Sequence, residues 1–207
     1  NQNLTAPSPA MTKAFLMNST RYLTGQRAND SLWSSGQGMG ALNLGTAFDG
    51  VVRVLRDQKP VDKLTASGQT RVFTGTISDT NKPVRVTLAW TDAPGNTFGN
   101  AFNNDLDLSI TVGGNPYKGN VVGGAFSITG GNADARNNVE SVFLPAGSTG
   151  NVAVTITAAN INSDGVPNEA PTLDQDFALV IYNVSSTQTP ILSPGGFSLL
   201  TEGSFPV

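Results

Sequence analysis

Histidine and cysteine are both missing from the 207 residues. A serine nucleophile normally needs a base to accept its proton, and the usual base is histidine. Ser–Lys and paired-carboxylate mechanisms need no histidine, but no spacing in the chain favours either. Catalysis by this chain alone is therefore not expected. Zinc sites built on histidine or cysteine are excluded as well. Without cysteine there is no disulfide framework from which to read a redox compartment. Charge is sparse: 12 basic against 15 acidic residues give a formal net charge of −3. Nucleic acid and anionic membranes both call for a basic face, so neither is an expected partner. No apolar run approaches the roughly 20 residues that span a bilayer.

What the chain has in quantity is glycine, 23 residues, together with asparagine and short runs rich in Val, Ile and Thr. That is the profile of an all-β protein with many turns. The first part reads differently. In PSPAMTKAFLMNST (residues 7–20) Ser8 is a natural N-cap and Pro9 suits the first helical position. Ala10, Ala14 and Met17 form a stripe that Met11, Phe15 and Leu16 widen. This predicts a short amphipathic helix with no obvious packing partner in the next fifty residues. A glycine-rich loop around Trp33 follows, then a second short helix from about Thr46 that ends before Lys59-Pro60.

From about residue 70 the period becomes two. The predicted strands are Arg71–Ile77, Val84–Trp90, Leu106–Val112, Pro116–Gly119, Val139–Leu144, Val152–Ala158 and Phe177–Tyr182. Clusters of Gly, Asn, Asp and Pro separate them. About seven or eight antiparallel strands without intervening helices make the fold class mainly β, a sandwich or jelly roll. Leu106, Leu108 and Ile110 share one face, and Asp105, Asp107 and Ser109 the other. The tail 187–207 carries Pro190, Pro194, Gly195 and Gly196 and reads as a linker or the start of a further C-terminal module.

Two sets of words carry a family resemblance. Pro7, Ser8, Pro9, Ala10, Lys13, Ala14, Leu16, Asn18 and Ser19, followed by Gly38, Gly40, Asn43 and Ala47, resemble the segment after the catalytic serine in subtilisin-like serine proteases, the subtilases. The G-T-S-M-A nucleophile motif is absent. LAWTDAPG (Leu88–Gly95), NNDLDLSI (Asn103–Ile110), YKGN (Tyr117–Asn120), ARNNVESVFL (Ala135–Leu144) and QDFALVIYN (Gln175–Asn183) resemble the β-barrel domain that follows the catalytic domain in some large bacterial subtilases. That domain is related in architecture to the P domain of proprotein convertases. The resemblance implies three parts: residues 1–57 as the end of a protease domain, 58–186 as a P-domain-like sandwich, and 187–207 beyond it. It also implies a secreted protein, a partner in its own protease domain upstream of residue 1, and calcium as cofactor. A carbohydrate- or protein-binding jelly roll, or a structural spacer of a surface protein, is the alternative.

The expected calcium ligands are Asp92, Asp105, Asp107, Asp134 and Glu140, which flank strand ends where Asx-rich loops converge. Calcium takes six to eight oxygens from such groups. The competing reading is that Asx residues simply build turns. Asn160, Asn162 and Asp164 before Gly165 match the first half of an EF-hand loop. Its twelfth position is Pro171, so the bidentate ligand is missing and a plain polar loop is the simpler reading. Trp33 and Trp90 are expected to pack, not to stack on sugars.

Overall fold

The computed structural model describes residues 6–26, 28, 31–99 and 102–186. The tail expected to be a linker lies outside them. The described residues form α1 (Pro9–Asn18), α2 (Leu44–Ala47) and eleven strands: β1 (Arg53–Asp57), β2 (Thr70–Ile77), β3 (Val84–Ala89), β4 (Asp105–Val112), β5 (Asn115–Lys118), β6 (Val122–Gly123), β7 (Phe126–Ser127), β8 (Val139–Leu144), β9 (Asn151–Asn160), β10 (Ala178–Tyr182) and β11 (Val184–Ser186). A four-stranded sheet, β1-β10-β3-β8, faces a five-stranded sheet, β11-β2-β9-β4-β5, and β6-β7 is a separate small hairpin. Every paired strand runs antiparallel to its neighbour. The fold is mainly β, a sandwich preceded by a short helix.

The period of two explains the layers. In β4, Leu106, Leu108, Ile110 and Val112 are buried while Asp105, Asp107 and Ser109 stand on the wetter face. In β9, Val152, Val154, Ile156 and Ala158 are buried in the same alternation. These residues meet Val84, Val86 and Leu88 of β3, Val142 and Leu144 of β8, and Leu179 and Ile181 of β10 in one continuous core. Trp90 is 3% exposed at the edge of that core, so it packs as expected.

The four-stranded sheet is buried on both faces, because α1 covers the outer one. Ser8 accepts the Met11 N–H at 2.9 Å and Pro9 fills the first turn, which starts the helix where its sequence signals lie. Ala10, Met11 and Ala14 then pack on Ala89, Val139, Ala178 and Val180. Small residues on both sides bring helix and sheet close together. Asn18 closes the contact, donating to Thr87 Oγ1 at 3.1 Å and to the Val180 carbonyl at 3.4 Å. The helix thus has its partner, on the expected stripe with one edge changed: Asn18 is buried and Leu16 is 37% exposed. The buried guanidinium of Arg85 donates to the carbonyls of Asn18 and Thr20 at the helix end and lies over the Phe143 ring.

Two elements differ from the sequence reading. Residues 53–57 are not the end of a second helix but β1, an edge strand pairing Asp57 with Ala178 and Arg53 with Tyr182. The sheet therefore begins inside the segment read as the end of the preceding domain. Gly50, at φ 73°, turns the chain out of α2, a conformation open to glycine. β11 continues from β10 after Asn183 at φ 67° and crosses to the other sheet, where it pairs with β2.

Candidate functional site

Five acidic positions were expected to converge, and the structure gives them three different surroundings. Asp105, Asp107 and Glu140 form one group. Asp105 and Asp107 start β4 on its outward face. Glu140 shares its phase in β8 with Val142 and Leu144, which line the core between the sheets. It is only 1% exposed. Its Oε2 accepts the Leu108 N–H at 2.7 Å, where β4 has run past the end of β5. Gly119 makes room, since a side chain there would place its Cβ 2.1 Å from Glu140 Oε2. Glu140 thereby ties one sheet to the other.

Two further oxygens of this group are left without partners. Glu140 Oε1 and Asp107 Oδ1 are buried and accept no hydrogen bond. Burial pushes the Glu140 carboxyl up to about 9, against one backbone hydrogen bond and with repulsion from Asp107, Asp134 and Asp105. Burial, with repulsion from Asp107 and Asp134, raises Asp105 to about 6. Asp107 is raised by burial as well, with Lys118 pulling it down and Asp134 pushing it up. Buried carboxylates that repel one another cost free energy unless a proton or a cation joins them.

Asp134 borders this group with its oxygens already engaged. It accepts from Asn120 Nδ2 and Asn137 Nδ2, both at 2.7 Å, and from the Arg136 and Asn137 N–H groups at 3.1 and 3.3 Å. Asn120, at φ 58°, also serves as a surrogate strand for β8. Its Oδ1 accepts the Ser141 N–H and its Nδ2 donates to the Val139 carbonyl. Sequence reasoning did not single out Lys118, Gly119 or Asn120. The word YKGN, set against β8 by hydrogen bonding, was the available signal.

Asp92 belongs to a different network. Its two oxygens accept the N–H groups of Asn103 and Asn104 at 2.6 and 3.0 Å. The Asn104 side chain, 1% exposed, accepts from the N–H groups of Asn162 and Ser163 and from the Ser163 hydroxyl. It donates to the carbonyls of Ser163 and Asp174 and to Gln175 Oε1. Gln175 donates onward to the carbonyls of Thr91 and Asp176. The EF-hand-like stretch is thus held as a polar loop stitched down by amides. Asn160 ends β9 opposite Asp105, Asn162 is bound through its backbone, and Asp164 bridges to Asp174. Gly165 is required because a Cβ there would meet Gln175 Oε1 at 2.5 Å.

Among the described residues no three acidic side chains are arranged to hold one metal ion. The donor chemistry at Asp105, Asp107 and Glu140 suits a hard cation, and two of its buried carboxylate oxygens lack any partner, but the three side chains would have to move together to hold one ion. An ion there would draw its remaining oxygens from carbonyls, amides and water. Two open clefts of about 460 and 400 Å³ lie on the sheet surface around Gly113, and neither is lined by a carboxylate or an amine. No helix among the described residues is long and apolar enough to cross a membrane. No family model matches the sequence, and no curated protein matches it.

Proposed function

We propose that the chain is the non-catalytic C-terminal region of a secreted subtilisin-like endopeptidase, which stabilises its protease domain and binds calcium through Asp105, Asp107 and Glu140. The observation that carries the calcium reading is Glu140, a carboxylate in a core position with one oxygen on the Leu108 N–H and the other on nothing. Nothing about the sandwich requires a charge there, and an apolar residue would pack at lower cost. A divalent cation would neutralise the group and join β4 to β8, hence one sheet to the other. The protease parentage rests on the sequence words, and the sandwich architecture agrees with it.

Calorimetric titration of calcium into chelated protein tests the reading. Binding at roughly 10⁻⁴–10⁻³ M is expected, as for other extracellular modules, with magnesium far weaker because it demands a tight octahedral shell. Asp105→Asn should weaken binding at this site at least tenfold with the far-ultraviolet spectrum unchanged. Equal affinity in the variant would overturn the assignment. The purified chain should leave casein and peptide esters uncleaved, and turnover that titrates with a serine-directed inhibitor would overturn the non-catalytic part.

A further inference from the structure

Lys13 is the only charged residue of α1. It is half-buried, and burial lowers its ammonium below the usual lysine range. Among the described residues it pairs with no carboxylate. Its Nζ instead donates to Asn138 Oδ1 at 2.8 Å, across 125 residues of sequence. Asn138 is locked in turn to the neighbouring strand. Its carbonyl accepts the Trp90 N–H at 3.2 Å, and its Nδ2 donates to the Trp90 carbonyl at 3.0 Å.

The residues on either side of Asn138 serve two neighbours. Val139 packs under α1 in the cluster of Ala10, Met11 and Ala14. Glu140, one residue on, turns to the opposite face, where its Oε2 accepts the Leu108 N–H. Asn137, one residue before Asn138, is bound to Asp134 at the border of the carboxylate group. Residues 137–140 therefore carry the helix on one side and the carboxylates on the other. Asp105, Asp107 and Glu140 hold one ion only by drawing together, and the start of β8 is then pinned to the start of β4. A helix that docks on a pinned seat has less left to order.

We propose that calcium binding at Asp105, Asp107 and Glu140 tightens the docking of α1, and that the Lys13–Asn138 hydrogen bond transmits the effect. This coupling rests on the reading of that group as an ion site. It is reciprocal: the factor by which the ion favours the docked helix is the factor by which the docked helix favours the ion. The element with two states is α1, which opens locally or lies closed on Ala89, Val139, Ala178 and Val180. On the proposed reading a protease domain precedes α1, so calcium sets how firmly that domain is held to the sandwich.

Amide exchange and calcium titration of the full chain test the coupling, with calcium chloride as the probe, in wild type, Lys13→Met, Lys13→Arg and Asp105→Asn. In wild type, calcium should slow the amides of residues 13–18 roughly fivefold or more beyond any slowing in β2, which β9 separates from β4. Lys13→Met keeps the apolar stem and loses the donor. Its calcium affinity should fall about fivefold, and its α1 amides should respond to saturating calcium no more than β2 does. Lys13→Arg can still donate to Asn138 and should restore both. Asp105→Asn should leave α1 insensitive to calcium. Wild-type affinity in Lys13→Met, or slowing of its α1 as large as in wild type, overturns the coupling and leaves the ion site standing. Slowing of α1 in Asp105→Asn that equals the wild type's overturns it too, because the ion then acts from elsewhere. Should Lys13→Met not fold, a wild-type α1 that slows no more than β2 decides against the coupling. A wild type that binds no calcium removes the ion site and the coupling together.

Discussion

Two polar groups sit at neighbouring strand ends of the sandwich and are built on opposite principles. Around Asn104 every buried amide atom finds a partner: three donors converge on its Oδ1 and its Nδ2 reaches three acceptors. Around Glu140 of β8 and the start of β4, which begins one residue after Asn104, the buried atoms are carboxylate oxygens and two of them have no partner. The amides of the first group are complete within the protein, although Asp164 Oδ1 in the loop they hold has no hydrogen-bond partner. The second is complete only with something added. A neutral, satisfied network holds loops in place at little electrostatic cost, while an unsatisfied charged one marks a place where a ligand changes stability.

The largest expected effect comes from breaking the complete group. Asn104→Ala strands the N–H groups of Asn162 and Ser163 and leaves Gln175 Oε1 without its donor. Each buried unsatisfied group costs about 1–3 kcal/mol. A loss of roughly 3 kcal/mol or more is expected, about 6–12 °C in melting temperature for a domain of this size. The loss should be the same in calcium and in chelator. If it vanishes in calcium, the amide network is part of the ion site and the contrast fails.

Next in size is the ligand effect on the incomplete group. At a calcium concentration about 100 times the dissociation constant, binding stabilises by roughly 2.7 kcal/mol. Melting should therefore rise by about 5–10 °C on adding calcium to chelated protein. Asp105→Asn should remove most of that rise. Identical curves with calcium and with chelator would reduce the acidic strand ends to ordinary turns and favour a structural spacer.

Much of the sandwich was legible because its period of two is clean. Val139–Leu144 is β8 as read, and six other strands agree to within a few residues. β1 was missed because all five of its residues are half-buried, so VVRVLR shows no alternation. Its arginines are held by neighbours invisible in the sequence. Arg53 stacks 4.7 Å from the Tyr182 ring centroid and pairs with Asp49, and Arg56 pairs with Asp62. The face of α1 was legible apart from its edge: Leu16 is exposed, and Asn18, a polar residue, is buried by hydrogen bonds to Thr87 and Val180, which lie far along the chain. At the site, residue types and rough places were legible. Whether an oxygen was engaged was not: Asp92 and Asp105 look alike in sequence, yet backbone N–H groups take up the first and leave the second to its repulsions.

Protonation sharpens the contrast further. The Glu140 carboxyl is raised from an ordinary 4.5 to about 9, so the folded protein binds its proton more tightly than the unfolded chain. Calcium-free protein should then be most stable below about pH 4.5 as far as this group is concerned. It should lose stability as pH rises toward about 9, with a slope of at most about 1.4 kcal/mol per pH unit. Glu140→Gln keeps an acceptor for the Leu108 N–H and removes the charge. In chelator it should flatten the profile above about pH 6 and gain on the order of 2 kcal/mol at pH 8. Melting curves from pH 5 to 8.5 check this, and a wild-type profile as flat as the variant's would show that Glu140 is not held protonated. Asn104→Ala should leave the slope unchanged.

The smallest effect asks on which side of the comparison Asp134 falls. It repels Asp105, Asp107 and Glu140, as a member of the charged group would. Yet its oxygens are taken by two asparagine amides and two backbone N–H groups, the hallmark of the satisfied kind. Asp134→Asn keeps one acceptor oxygen and turns the other position into a donor facing the donors of Asn120 and Asn137. Because the residue is half-buried and its loop can relax, a loss of about 1 kcal/mol is expected, roughly 2–4 °C. The calcium response should survive within about twofold in affinity, since an oxygen already bound to four donors has little to offer an ion. A response lost as completely as in Asp105→Asn would move Asp134 into the ligand set. It would also mean that the amides of Asn120 and Asn137 swing away when the ion arrives, a rearrangement that amide exchange at Asn137 and Ser141 would register as faster in calcium than in chelator.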